Sequence, residues 1–129
     1  MTALPANHMA NEVGHLYIID DGTAKVLYLH DTGLLFDEVY DYLQKTGLKA
    51  DLVSFDCTFG QLRSSGGHLG LDSCVVTKER LESIGVIGKD TKLCVIHFSH
   101  NSGLIYDELV PVAEELGFLT SYDGMQIDL

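Results

Sequence analysis

Apolar and polar positions alternate along the chain in short blocks. Leu16–Ile19 and Lys25–Leu29 are two short apolar-rich runs separated by Asp20-Asp21-Gly22, a tight-turn signal, and the spacing predicts a hairpin. Leu52–Asp56 and Leu93–Phe98 are short and mostly apolar, the pattern of strands covered on both faces. Between these runs the period changes. Over Leu35–Lys45 the apolar residues Leu35, Val39, Tyr42 and Leu43 share one helical face, with Gly47 just beyond. Leu71–Ile84 reads as a second helix ended by Gly85, and Ile105–Leu116 as a third followed by Gly117. Pro111 inside the third is expected to kink or restart it, because it lacks an N–H and crowds the preceding turn. Phe118–Tyr122 and Met125–Leu129 flank Asp123-Gly124 and predict a closing hairpin or bend. The predicted order is β-β-α-β-α-β-α-β-β, an α/β pattern. Phe59–Gly70 is a long, polar, Gly-rich loop, and such loops in compact domains are often functional.

Composition narrows the function classes. At 129 residues, 46% hydrophobic and 21% charged, the chain suits one ordinary globular domain, residues 1–129. Nineteen acidic residues against eight basic ones give a formal charge of -11. Such a chain lacks the Lys and Arg needed to replace counterions on nucleic-acid phosphates, and an anionic membrane would repel it. No nucleic acid and no membrane partner are therefore expected. No apolar run reaches spanning length and no basic-then-apolar signal opens the chain, so the expected location is the cytoplasm. Cys57, Cys74 and Cys94 are odd in number and widely spaced, which disfavours a structural zinc knuckle. Cys57 and Cys94 lie in or beside apolar runs and read as buried thiols.

Four residues carry candidate chemistry. Asp31 follows the run Val26–Leu29 and precedes a helix, where α/β folds place active groups, although Asp also suits a helix N-cap or a turn. Asp31-Thr32-Gly33 spells the aspartic-protease tripeptide, but the helical pattern after it and Leu34 in place of Ala or Ser argue against that class. His97 ends the run Leu93–Ile96 and has His100 three residues on, a plausible ligand cluster or a backbone-bonded pair. His8 precedes the first predicted strand. His68 lies beside Gly66-Gly67 in the long loop, free to approach a substrate or simply exposed.

The order of these residues is more specific than any of them singly. Ala3–His8, Leu27–Gly33, Asp51–Gly60, Gly67–Leu71, Val95–Asn101 and Ser121–Met125 together resemble the C-terminal half of a metallo-β-lactamase-fold hydrolase, over about Thr2 to Ile127. The branch most resembled is that of the phosphoribosyl cyclic-phosphate phosphodiesterases, near the transfer-RNA 3′-processing nucleases. The resemblance implies half of an αββα sandwich, a mixed sheet with helices on one face, completed by a second chain. It implies His8, Asp31 and His97 as metal ligands, with Asp31 bridging two ions of Zn²⁺ or Mn²⁺. It further implies His68 as a proton donor or phosphate contact and a supporting place for His100.

One departure changes the expectation. The first-half motif of that family, His-x-His-x-Asp-His, is absent from this sequence. The residues present then leave two protein ligands for each ion, where zinc sites normally have three or four. The chain also begins close to the His8 motif, as though a longer protein had been cut there. A lone copy is expected to bind metal weakly and to expose Val, Leu, Ile and Phe of its central strands, a patch that favours association. A homodimer, or a separate chain bearing the first half, would cover it, and a small phosphodiester is a possible substrate. The main alternative is a non-catalytic α/β domain that homodimerises or binds a small ligand. A flavodoxin-like domain fits worse, because Asp20-Asp21-Gly22 is an acidic turn where a phosphate loop belongs.

Overall fold

The computed structural model describes residues 1–100 and 102–129, so the last residue of the Val95–Asn101 stretch lies outside the described residues. Six strands and three helices follow one another as β1 Thr2–Pro5, β2 His15–Asp20, β3 Lys25–Leu29, α1 Asp37–Thr46, β4 Leu52–Asp56, α2 Leu71–Ser83, β5 Lys92–Ile96, α3 Tyr106–Glu115 and β6 Leu119–Thr120. The strands form one sheet in sequence order, β1-β2-β3-β4-β5-β6. β1, β2 and β3 pair antiparallel, and β3 through β6 pair parallel. Each parallel step crosses through a helix. Because such crossovers are right-handed and the strand order never reverses, all three helices lie on one face.

That face holds the core. Leu27 and Leu29 of β3, Val53 and Phe55 of β4 and Val95 of β5 are fully buried there with Val39 and Leu43 of α1, Leu81 of α2 and Ala113 of α3. Phe55 and Phe118 meet edge to face with ring centroids 5.3 Å apart. The helix over Asp37–Thr46 turns Tyr40 inward and leaves Tyr42 exposed, in contrast to the periodicity, because the Tyr40 ring lies under the Arg80 guanidinium at 3.8 Å. Pro111 sits within α3, and the helix runs on through it as one element.

Two expectations at the chain ends are corrected. Thr2–Pro5 is a strand that periodicity did not reveal: four residues with one buried side chain, Leu4, are too few, and β1 exists because it pairs with His15–Ile18 of β2. Met125–Leu129 is not a strand. A turn closed by Met125 N–H on the Tyr122 carbonyl, and the Lys92 ammonium donating to the Asp128 carbonyl, hold it instead. This segment borders the face without helices, where Met125 and Ile127 line a shallow cavity of about 250 Å³ with Val26, Tyr28, Leu52, Ser54, Cys94 and Ile96. The second face is therefore half-covered, and Phe55 is not part of it. All three cysteines are buried free thiols, Cys74 included. A hydrogen bond with Cys57, and then burial, push the Cys74 thiol well above its usual range. No helix among the described residues is long and apolar enough to cross a membrane.

Candidate metal centre

Parallel pairing brings the carboxyl ends of β3, β4 and β5 level: Leu29 stands opposite Phe55, and Asp56 opposite Ile96. The chain then delivers Asp31 just past β3, Asp56 as the last residue of β4 and His97 just past β5. β1 runs in the same direction as β3, so its continuation carries His8 to the same edge. The rule that α/β sites form outside the carboxyl ends of strands is obeyed here by four strands at once.

The backbone marks two of these positions. Asp31 has φ 52° and His97 has φ 62°, and they are the non-glycine residues with positive φ among the described residues. Left-handed conformations cost a side-chain-bearing residue about 1 kcal/mol or more and concentrate at functional sites. Asp31 is not a helix N-cap, since Phe36 holds that position for α1.

Asp56, which sequence reasoning did not single out, organises the centre. It is fully buried. Its Oδ1 accepts from the Thr58 N–H at 3.0 Å, the Thr58 hydroxyl at 2.9 Å and the Leu69 N–H at 3.2 Å. Its Oδ2 accepts from the Thr32 N–H at 3.3 Å, His68 Nδ1 at 3.0 Å and His97 Nδ1 at 3.1 Å. A carboxylate facing Nδ1 fixes the tautomer that carries its proton there and leaves Nε2 free for a ligand or a proton. Burial would raise the Asp56 carboxyl, but the hydrogen bonds from His68 and Thr58 and the His68 charge outweigh it and hold the group below its ordinary value. The signal in the sequence was an Asp closing a strand buried on both faces, the same feature that identified Asp31.

Asp31, Asp56, His68 and His97 each offer one ligand atom within 4.8 Å of the others. Asp31 Oδ1 lies 3.5 Å from His97 Nε2 and 3.8 Å from His68 Nδ1. His8 is adjacent but outside this set. Its ring meets His68 edge to face at 4.8 Å, its Nδ1 is 3.2 Å from the Gly67 carbonyl and its Nε2 is 3.7 Å from Glu12. A Cβ at Gly67 would collide with the His8 carbonyl, so this close approach of two loops requires glycine. His100 is exposed. His30, also passed over in sequence, abuts His97 with ring centroids 4.2 Å apart. Burial, then the neighbouring His97 charge, push its pKa down against the pull of Asp31 and Asp56.

The donor set suits a divalent cation. Two ligands on one tetrahedral zinc stand about 3.4 Å apart, as bonds of about 2.0–2.1 Å require, and the Asp31–His97 pair is at 3.5 Å. Imidazole with carboxylate suits Zn²⁺ and Mn²⁺.

No protein-family model and no curated protein matches this chain. Among solved structures it is similar to the metallo-β-lactamase fold protein YhfI from Bacillus subtilis, with a TM-score of 0.61 and 22% identity over 92% of this chain and 45% of that one. The chain has the fold of part of a metallo-β-lactamase-like domain. It spans a little under half the length of that neighbour, and the α/β architecture with helices on one face agrees with the expected half-sandwich.

Proposed function

We propose that residues 1–129 are the C-terminal half of a metal-dependent, phosphodiesterase-like hydrolase. Asp31, His97 and His8 serve it as metal ligands and His68 as the proton donor. The observation that carries this reading is the Asp31–His97 pair: two strained strand-end residues whose ligand atoms lie 3.5 Å apart. When bound, Zn²⁺ or Mn²⁺ supplies positive charge against phosphate oxygens and lowers the pKa of water. The chain's own residues do the rest. Asp31 contributes the carboxylate and His97 its Nε2. Asp56 occupies Nδ1 of both His97 and His68 and sets the directions of the two rings. His68, held by Asp56 at 3.0 Å, keeps Nε2 for a proton that passes to the leaving oxygen.

The missing first-half ligands make this chain alone catalytically incomplete. At saturating Mn²⁺ it is expected to leave bis(4-nitrophenyl) phosphate intact, and turnover by the isolated chain would overturn that part of the proposal. Zn²⁺ titration tests the metal site directly: binding disappears in Asp31→Ala and in His97→Ala, and wild-type affinity in both variants sinks the reading. The half-covered second face, with Val26, Tyr28, Leu52 and Ile96 partly open, supports a second copy or a first-half chain packing there. A homodimer predicts a solution mass twice the 14.2 kDa of one chain. A single-chain mass refutes the dimer, and with it one of the two routes to completing the site.

A further inference from the structure

His30 lies at this edge, and the proposed function gives it no role. It sits between Leu29, the last residue of β3, and Asp31. Its ring stacks on Tyr28 with centroids 5.4 Å apart and planes 14° apart, and it meets His97 edge to face at 4.2 Å and 62°. Its Nδ1 stands 3.9 Å from Asp31 Oδ2. The two oxygens of Asp31 are thus divided, Oδ1 toward His97 and Oδ2 toward His30. Neither ring nitrogen of His30 has a hydrogen-bond partner among the described residues. The side chains of His30, Asp31 and His97 keep 34%, 49% and 32% of their surface exposed, so an ion from solvent can reach all three.

Asp56 and His68 lie deeper and belong to a different part of the site. Both oxygens of Asp56 are taken by hydrogen bonds from the backbone, from Thr58 and from the two imidazoles. Releasing them for a metal would leave the Thr32, Thr58 and Leu69 N–H groups unpaired. Asp56 therefore acts on His97 as an orienting partner, and the donor side chains nearest the surface are Asp31, His97 and, beside the cluster of four, His30.

We propose that His30 is a third protein ligand for a divalent transition-metal ion held by Asp31 and His97. In this chain it would supply a donor of the kind that the absent first half would otherwise contribute. The proposal rests on the metal-site reading of Asp31 and His97. It alters one consequence of that reading: with three ligands from one chain, the site binds an ion before any partner arrives. Three protein ligands with one position left open is the arrangement of catalytic zinc sites. Tyr28 limits the freedom of the His30 ring, which lowers the entropy lost when the ring is fixed on an ion.

Zn²⁺ titration of the purified chain by calorimetry tests this. The wild type is expected to bind one Zn²⁺ per chain, and His30→Ala is expected to weaken binding by about tenfold or more. His15→Ala, on the exposed start of β2, serves as the control and keeps wild-type affinity. Unchanged affinity in His30→Ala, with binding lost in Asp31→Ala and His97→Ala, overturns the inference and leaves the metal-site reading standing. Wild-type affinity in all of these variants overturns both. If His30→Ala does not fold, ¹⁵N imidazole NMR of the wild type decides the question. A Zn²⁺-induced shift of a His30 ring nitrogen of the size seen at His97 supports the proposal, and an unmoved His30 resonance rejects it.

Discussion

Asp51, the residue before β4, and Asp56, the last residue of β4, do related work under opposite conditions. Asp51 is exposed at the amino end. Its carboxylate accepts the Lys25 N–H at 2.7 Å, and its backbone bonds the Lys25 carbonyl and the Lys92 N–H at 2.8 Å, tying together the starts of three strands. Asp56 at the carboxyl end is fully buried and also ties loops to the sheet, through the N–H groups of Thr32, Thr58 and Leu69. Two imidazoles also donate to it. The difference teaches that residue type sets what a carboxylate can accept, while burial decides what depends on it. Water can replace any partner Asp51 loses. Nothing replaces the partners of Asp56, so its bonds fix the tautomers of His68 and His97 as well as the loops.

Removing Asp56 is expected to give the largest effect. Asp56→Ala leaves three backbone N–H groups and two imidazoles without their acceptor and is expected to destabilise the chain by about 3 kcal/mol or more, measured by urea denaturation. A loss below about 1 kcal/mol would erase the contrast with Asp51. Gly67→Ala follows. Its Cβ would collide with the His8 carbonyl, and the forced loop shift is expected to cost about 1–3 kcal/mol and to separate the His8 and His68 rings, visible in their NMR chemical shifts.

Acid sharpens the comparison without a mutation. The Asp56 pKa is lowered in the folded chain, so the folded state binds fewer protons than the unfolded one as pH falls below about 4. Its stabilising contribution is complete above that pH and disappears as pH falls through the lower folded value. The urea midpoint of the wild type should therefore fall more steeply below pH 4 than that of Asp56→Asn, and parallel curves would remove Asp56 as the cause. Asp51→Ala is expected to have the smallest effect, less than about 1 kcal/mol, since solvent reaches the Lys25 N–H it leaves behind.

The sequence carried the periodic elements well. The end of α1, the whole of α2 and the buried strands β3 and β4 follow from runs of Leu, Val and Ile closed by Gly47 and Gly85, whereas α1 starts at Asp37 and not Leu35, and β5 stops at Ile96, short of Phe98. Thr2–Pro5 escaped because a four-residue strand with one buried side chain has no period to read, and only its pairing with β2 creates it. Met125–Leu129 misled because alternation with a turn before it also describes a segment held by a single turn and the Lys92 contact. Among chemical residues, Asp31 and His97 were legible from their places after apolar runs.

What the sequence determined alone was the order of elements and the strand ends at which chemistry would sit, since both are local consequences of side-chain pattern. Only the tertiary structure decided which of those ends meet. Level pairing of β3, β4 and β5 puts Asp56 beneath two histidines, more than ten residues from either in the chain, and turns His30 toward His97. His8 reaches the same edge because β1 runs parallel to β3, while its Nε2 faces Glu12. These relations depend on strand register and burial, and neither quantity is written in the spacing of residues along one segment.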